Sequence, residues 1–291
     1  MPFLSVKPFT FRTRCAFLAG ATTMVVALLV GCTAPVRVDA VSLLSSARIA
    51  ELLASPERSA ADRLIDERRK PQQMLEFIGV RPGIVALDLS AGGGYTTELI
   101  ARAAGPEGLV YAQSAPRSAR PPPAQSESGS MSIAPPMVSP TDPSMPPAAL
   151  TARAARLQNG HIVPVVRTFE QPVPPEVTRS GLDLVTLMFN YHDLGHLGVD
   201  RDSMNRAVFA ALKPGGVWVI ADHSGRPGTG ISEAGTLHRI DQMFLQAEVE
   251  RAGFKLVEEG DFLRNPADPR DRNVPQPLQP KDEFVFKFIK P

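Results

Sequence analysis

Three short stretches carry residues whose types and spacing suit chemistry. The first is Asp88-Leu89-Ser90-Ala91-Gly92-Gly93-Gly94-Tyr95, an acid followed by three successive glycines. Glycine lets a backbone approach a ligand closely, because no Cβ stands in the way. The second is Asn190-Tyr191-His192-Asp193 and the third Asp222-His223-Ser224, each at the end of an apolar run. His238 follows further on. Histidine exchanges a proton near neutral pH, which suits general acid–base work. His192 is therefore expected as the base, oriented by Asp193, with His223 as the second candidate. Asn190, Asp193 and Asp222 also offer oxygens of the kind a hard cation takes. Their spacing forms no dedicated metal motif, so no metal ligand is assigned.

These residues need a frame that brings them together. Val85-Ala86-Leu87-Asp88-Leu89 is an apolar run fit for a buried parallel strand. A helical pattern over 96–104 follows at once, giving strand, glycine turn, helix. Further strands are expected over 109–113, 161–166, 182–189, 217–221, 254–258 and 282–290. Pro164 cannot donate to a ladder, which makes the strand over 161–166 an edge. Phe284, Phe286 and Phe288 alternate onto one face. Helices are expected from Ser55, with an interruption at Pro71, and over 150–157, after Asp200, and from 232 to 252. In an open α/β sheet, ligands bind in the crevice outside the strand carboxyl ends, and all three stretches fall there.

The glycine stretch resembles motif I of the class I S-adenosylmethionine-dependent methyltransferases, an acid followed by alternating glycines. Ser90 stands where the first glycine is usual. A dinucleotide-binding turn is the competing reading, but its third glycine is replaced by Thr97. A tight strand–helix turn with no ligand is the other. Leu212-Lys213-Pro214-Gly215-Gly216, ahead of an apolar strand, resembles the same family at the right distance. The resemblance implies a Rossmann-like α/β fold with a seven-stranded sheet in the order 3-2-1-4-5-7-6, strand 7 antiparallel. It implies S-adenosyl-L-methionine as cofactor, held by Asp88, Ser90, Ala91, Gly92, Gly94, Tyr95, Gln113, Phe169, Glu170 and Asn190. Gln113 replaces the acid that usually binds the ribose, and an amide lacks the charge that strengthens such a bond. Arg69 or Lys70, on a helix that lids the cofactor in this family, is a further pocket candidate. The implied reaction is methyl transfer to a small-molecule or lipid-like acceptor. The alternative is an envelope lipoprotein that keeps the fold as a binding module.

The ends and the composition set the context. Lys7, Arg12 and Arg14 precede an apolar run from Cys15 to Val30. As a helix it would span about 24 Å, short of the roughly 30 Å hydrocarbon core, so residues 1–31 read as a signal peptide. Leu29-Val30-Gly31-Cys32 resembles a bacterial lipobox, which makes Cys32 the lipidation site and 32–46 a tether. The expected location is the cell envelope, on a lipid anchor, with the cytoplasm as the alternative. Residues 47–291 form the expected methyltransferase domain. Within it, 114–148 is rich in Pro and Ser, with no apolar period, and is expected to be a disordered insertion. With 31 basic and 30 acidic residues, no nucleic-acid surface is expected.

Overall fold

The computed structural model describes residues 43–116, 144–158, 160–275 and 278–291. The expected signal peptide, Cys32, most of the tether and most of the insertion lie outside the described residues.

Three helices lead in: α1 (Ser46–Ala54), α2 (Ala60–Arg69) and α3 (Pro71–Ile78). The sequence expectation of one helix from Ser55 is corrected here. Ser59, not Ser55, caps α2 by accepting from the Asp62 N–H, and Ser45 caps α1 in the same way. Lys70 takes a left-handed conformation (φ 45°), which separates α2 from α3, and Pro71 opens the new helix where it needs no N–H. Ile49 of α1 joins Met74, Phe77 and Ile78 of α3 in one apolar cluster, and Leu44, from the end of the expected tether, packs against it.

The sheet is built from β1 (Val85–Leu89), β2 (Leu109–Ser114), β3 (Ile162–Val166), β4 (Leu182–Met188), β5 (Leu212–His223), β6 (Lys255–Gly260) and β7 (Glu283–Ile289). Their order is β3-β2-β1-β4-β5-β7-β6, and β7 runs antiparallel to both β5 and β6. That is the expected seven-stranded arrangement. β3 is the edge, with Pro164 opposite Ala112. Phe284, Phe286 and Phe288 are all fully buried.

Helices α4 (Tyr95–Ala104), α5 (Ala148–Arg156), α6 (Val177–Ser180), α7 (Asp193–His196), α8 (Arg201–Ala211), α9 (Ala234–Leu237) and α10 (Gln242–Arg251) connect the strands. The Lys213–Gly216 turn appears as a bulge: β4 and β5 pair at Leu182 and Leu212, then resume at Leu184 and Val217. Gly215 takes φ +77° there. The helix expected over 232–252 is broken. His238 adopts φ +51°, Ser224 and Ile240 form a β-bridge, and Asp241 caps α10 through the Met243 N–H. Arg239, inside the break, is completely buried against Asp268 at 2.8 Å. These partners outweigh the local helical preference of the segment.

Candidate active site at the strand carboxyl ends

The glycine turn is fixed by its own backbone. The Ala91 N–H donates to the Gln113 carbonyl (2.9 Å) and the Gly94 N–H to the Ala91 carbonyl (2.8 Å). Ser90, Gly92 and Gly94 all take positive φ, at 54°, 56° and 82°. This explains why glycine is usual at position 90: a side chain there is held in a strained conformation, at a cost of about 1 kcal/mol or more. Gly93 is different. Its φ is ordinary, and a Cβ built on it would meet nothing within 4 Å. It is exposed, as is Gly92. Neither backbone strain nor packing demands glycine at 93.

Asp88 does not face that opening. It is buried between the Thr97 and Thr186 hydroxyls, which donate to its two oxygens at 2.6 and 2.7 Å. Burial pushes its pKa up to about 6, against the pull of the two hydroxyls and of Arg69. Its place is a latch joining β1, α4 and β4. Gln113 is also fully buried and engaged at both ends. Its Oε1 accepts from the Ser90 N–H (2.9 Å) and its Nε2 donates to the Arg167 carbonyl (2.6 Å). The hydroxyl of the next residue, Ser114, is buried without a hydrogen-bond partner among the described residues. It is the uncommitted polar group at this strand end. Sequence reasoning missed it because it ended this strand at 113 and placed Ser114 in the Pro- and Ser-rich insertion, whereas β2 runs on through Ser114. Phe169 is buried in the same apolar cluster as Leu89 and Tyr111. Glu170 accepts from the Asp200 N–H (3.2 Å). Neither is brought against the glycine turn by any contact described.

Helices from both sides cover the turn. Arg153 of α5 donates from Nε to the Gly93 carbonyl (2.7 Å) and pairs with Asp62 and Glu98. The Tyr95 hydroxyl donates to Asp66 (2.7 Å), which Arg58 grips with two bonds. Arg69 stacks on the Phe189 ring at 3.7 Å, and its Nε is buried without a partner. Burial pulls its pKa down to about 10, helped by Arg68. With Tyr95, Thr96, Met188 and Phe189 it lines a small cavity at the start of α4. Lys70 is instead committed to the Phe262 carbonyl.

The histidines do converge. His192, His223 and His238 lie with ring centres 5.3 and 5.6 Å apart, and His196 stands 5.9 Å from His238. His192 is buried. Its Nδ1 is 2.6 Å from Asp222 and its Nε2 3.1 Å from Asp193. Burial disfavours its charge, but the two carboxylates win and hold its pKa up at about 9. Against the effect of burial, His192 and His238 bring the pKa of Asp193 down to about 2. As placed, His192 has no free nitrogen with which to accept a proton, so the expected base role is not met in this arrangement. Asp193 does orient it. His223 is kept neutral instead, since burial takes its pKa well below the usual value. Its Nδ1 is 3.0 Å from Glu283 but is not aligned for a hydrogen bond. Ser90 and Asn190 link the two halves of the site. The Ser90 hydroxyl donates to Asn190 (2.6 Å), whose Nδ2 donates to Asp193 (2.8 Å). Of the five non-glycine residues at positive φ among the described residues, Ser90, Phe189 and His238 lie in this neighbourhood, the kind of strain found where structure serves a site.

No protein-family model matches the chain, and no curated protein matches it. Solved structures do. A SAM-dependent methyltransferase from Aquifex aeolicus is similar over 85% of this chain and 100% of its own, at 15% identity and a TM-score of 0.51. The 4+2 cyclase SpnF is similar over 81% of this chain and 84% of its own, at 15% identity and a TM-score of 0.51. The chain has the class I methyltransferase fold. Because a cyclase shares it, the reaction has to be argued from the site.

Proposed function

We propose that the protein is an S-adenosylmethionine-dependent methyltransferase acting on a small-molecule or lipid-like acceptor. The observation that carries this reading is Gly93, an exposed glycine with ordinary backbone angles and open space where its side chain would be. When bound, S-adenosylmethionine supplies a methyl group activated by its sulfonium. Gly92 and Gly93 let the backbone approach it. Arg69, with its unpartnered Nε, is the cation for its carboxylate. The Ser114 hydroxyl is the group left for the ribose. The methyl carbon of the cofactor would pass to the acceptor lone pair as its carbon–sulfur bond breaks, leaving a neutral thioether. Where the acceptor is protonated, His223 receives the proton, because burial keeps its imidazole in the accepting form. Lipidation at Cys32 would place this activity at the envelope. Among the described residues, no helix is long and apolar enough to cross a membrane.

One observation favours the binding-module alternative: Gln113 spends both amide ends on the protein, so no acid reaches the ribose position. Calorimetric titration separates the two. S-adenosylmethionine and S-adenosylhomocysteine are titrated into the detergent-solubilised full chain and into Gly93→Val. The methyltransferase reading expects a micromolar dissociation constant, roughly 8 kcal/mol, weakened at least about 100-fold in the variant while its melting temperature holds. No binding to the parent chain at millimolar ligand would reject it and leave the binding module.

A further inference from the structure

We propose that His192, Asp193 and His238 form a binding site for one divalent first-row transition-metal ion, with zinc as the reference member. A ligand atom from each of the three lies within 4.8 Å of the others. Two ligands about 2.1 Å from a common tetrahedral ion stand about 3.4 Å apart, so a small shift admits the ion. Imidazole nitrogens with a single carboxylate suit borderline metals, whereas magnesium takes oxygens. The three oxygens considered from sequence are not the set that converges. Asp222 is turned to His192 and Asn190 is spent on Ser90 and Asp193.

The surroundings are arranged as a metal site requires. Asp222 is fully buried and sits 2.6 Å from His192 Nδ1, while also accepting from the His192 backbone N–H at 2.8 Å. This fixes the ring and aims Nε2 at Asp193, the carboxylate–histidine arrangement that orients metal-bound imidazoles. Asn190 holds Oδ2 of Asp193, leaving Oδ1 for the histidines. That one oxygen is approached by three rings: His192 Nε2 at 3.1 Å, His238 Nδ1 at 3.0 Å and His196 Nδ1 at 3.9 Å. An ordinary ion pair needs one partner, and gives no reason for the other two. His238 is brought there by the break between α9 and α10, at φ +51°. His196, partly exposed on α7, is the reserve fourth ligand. Three of the five histidines of the chain thus approach one oxygen, and His223 lies beside His192 with ring centres 5.3 Å apart. An ion here keeps a position open for an oxygen, nitrogen or sulfur of a bound molecule.

The inference does not depend on methyl transfer, and its test does not read activity. The full chain, with any free cysteine thiol alkylated, is stripped with chelator and titrated with zinc by calorimetry and with cobalt by visible absorption. One equivalent is expected at micromolar affinity or better, with a cobalt d–d band. His238→Ala, a partly exposed position, should weaken zinc at least 10-fold, as should Asp193→Asn. His196→Ala should weaken it less, and His161→Ala not at all. Circular dichroism and melting curves confirm that each variant is folded. Absence of binding, more than one equivalent with no dependence on His238, or displacement of zinc by equimolar magnesium would each overturn the proposal. S-adenosylhomocysteine binding, measured on the same samples, stands or falls separately.

Discussion

Asp88→Asn tests the latch between β1, α4 and β4. The parent carboxylate is 2% exposed, with a pKa of about 6 against an ordinary 3.8. That gap corresponds to about 3 kcal/mol at roughly 1.4 kcal/mol per tenfold change in proton affinity. The folded value is the higher one, so the native state binds the proton more tightly than the unfolded chain. The stabilisation is complete below about pH 4 and is lost as pH rises through about 6. Linkage assigns about 1.3 kcal/mol of this loss to the interval between pH 5 and 7. Asparagine keeps the shape, offers oxygen to one threonine and N–H to the other, and does not titrate. Urea unfolding of both proteins at pH 5 and pH 7 gives the difference in stability at each pH. That difference should move in favour of the variant by about 1.3 kcal/mol between pH 5 and 7. A difference constant with pH would refute the burial argument. Cofactor affinity should change less than about threefold, because neither oxygen of Asp88 faces the turn. A large loss would return Asp88 to the binding site.

Three further outcomes follow from packing. Gly93→Val should leave urea stability within about 0.5 kcal/mol of the parent, as expected for a site with no strain and no neighbours. Gly225→Ala should destabilise by about 1–3 kcal/mol, since its Cβ would fall 2.8 Å from the Ile240 carbonyl carbon; thermal unfolding reads this. Arg239→Ala should cost roughly 3–5 kcal/mol by leaving the buried Asp268 without its cation, held only by the Arg270 and Asp282 N–H groups. Arg239→Met with Asp268→Leu should recover most of that in urea, and a double variant no better than the single would contradict the ion-pair account.

The sheet was legible because its strands announce themselves locally. β1 is apolar but for Asp88, as suits a strand covered on both faces, and Phe284, Phe286 and Phe288 alternate along β7, with Val285 buried on its other face. The glycine turn was legible because positive φ at 92 and 94 excludes most other residues. What was not legible depends on partners distant in sequence. Leu237, Ile240 and Leu245 keep a helical spacing, and only Ser224 and Asp268 turn that segment into a break. The same break is what carries His238 to Asp193. The setting of His192 was not legible for a related reason. Its ring nitrogens face Asp193 next to it and Asp222, thirty residues away. Asp88 reads as a ligand residue in the motif, and only Thr186 on β4 shows it facing inward.

The short hydrogen-bond run from Ser90 through Asn190 to Asp193 has a thermodynamic consequence. It makes the glycine turn and the histidine cluster two ends of one coupled unit. An occupant that shifts Ser90 must break or strengthen the grip on Asp193, and an occupant at Asp193 acts back on Ser90. Linkage requires the two effects to be equal: whatever factor the first occupant imposes on the affinity of the second, the second imposes on the first. Replacing Asn190 by leucine would uncouple them, and a single coupling constant, measured from either end, describes what is lost.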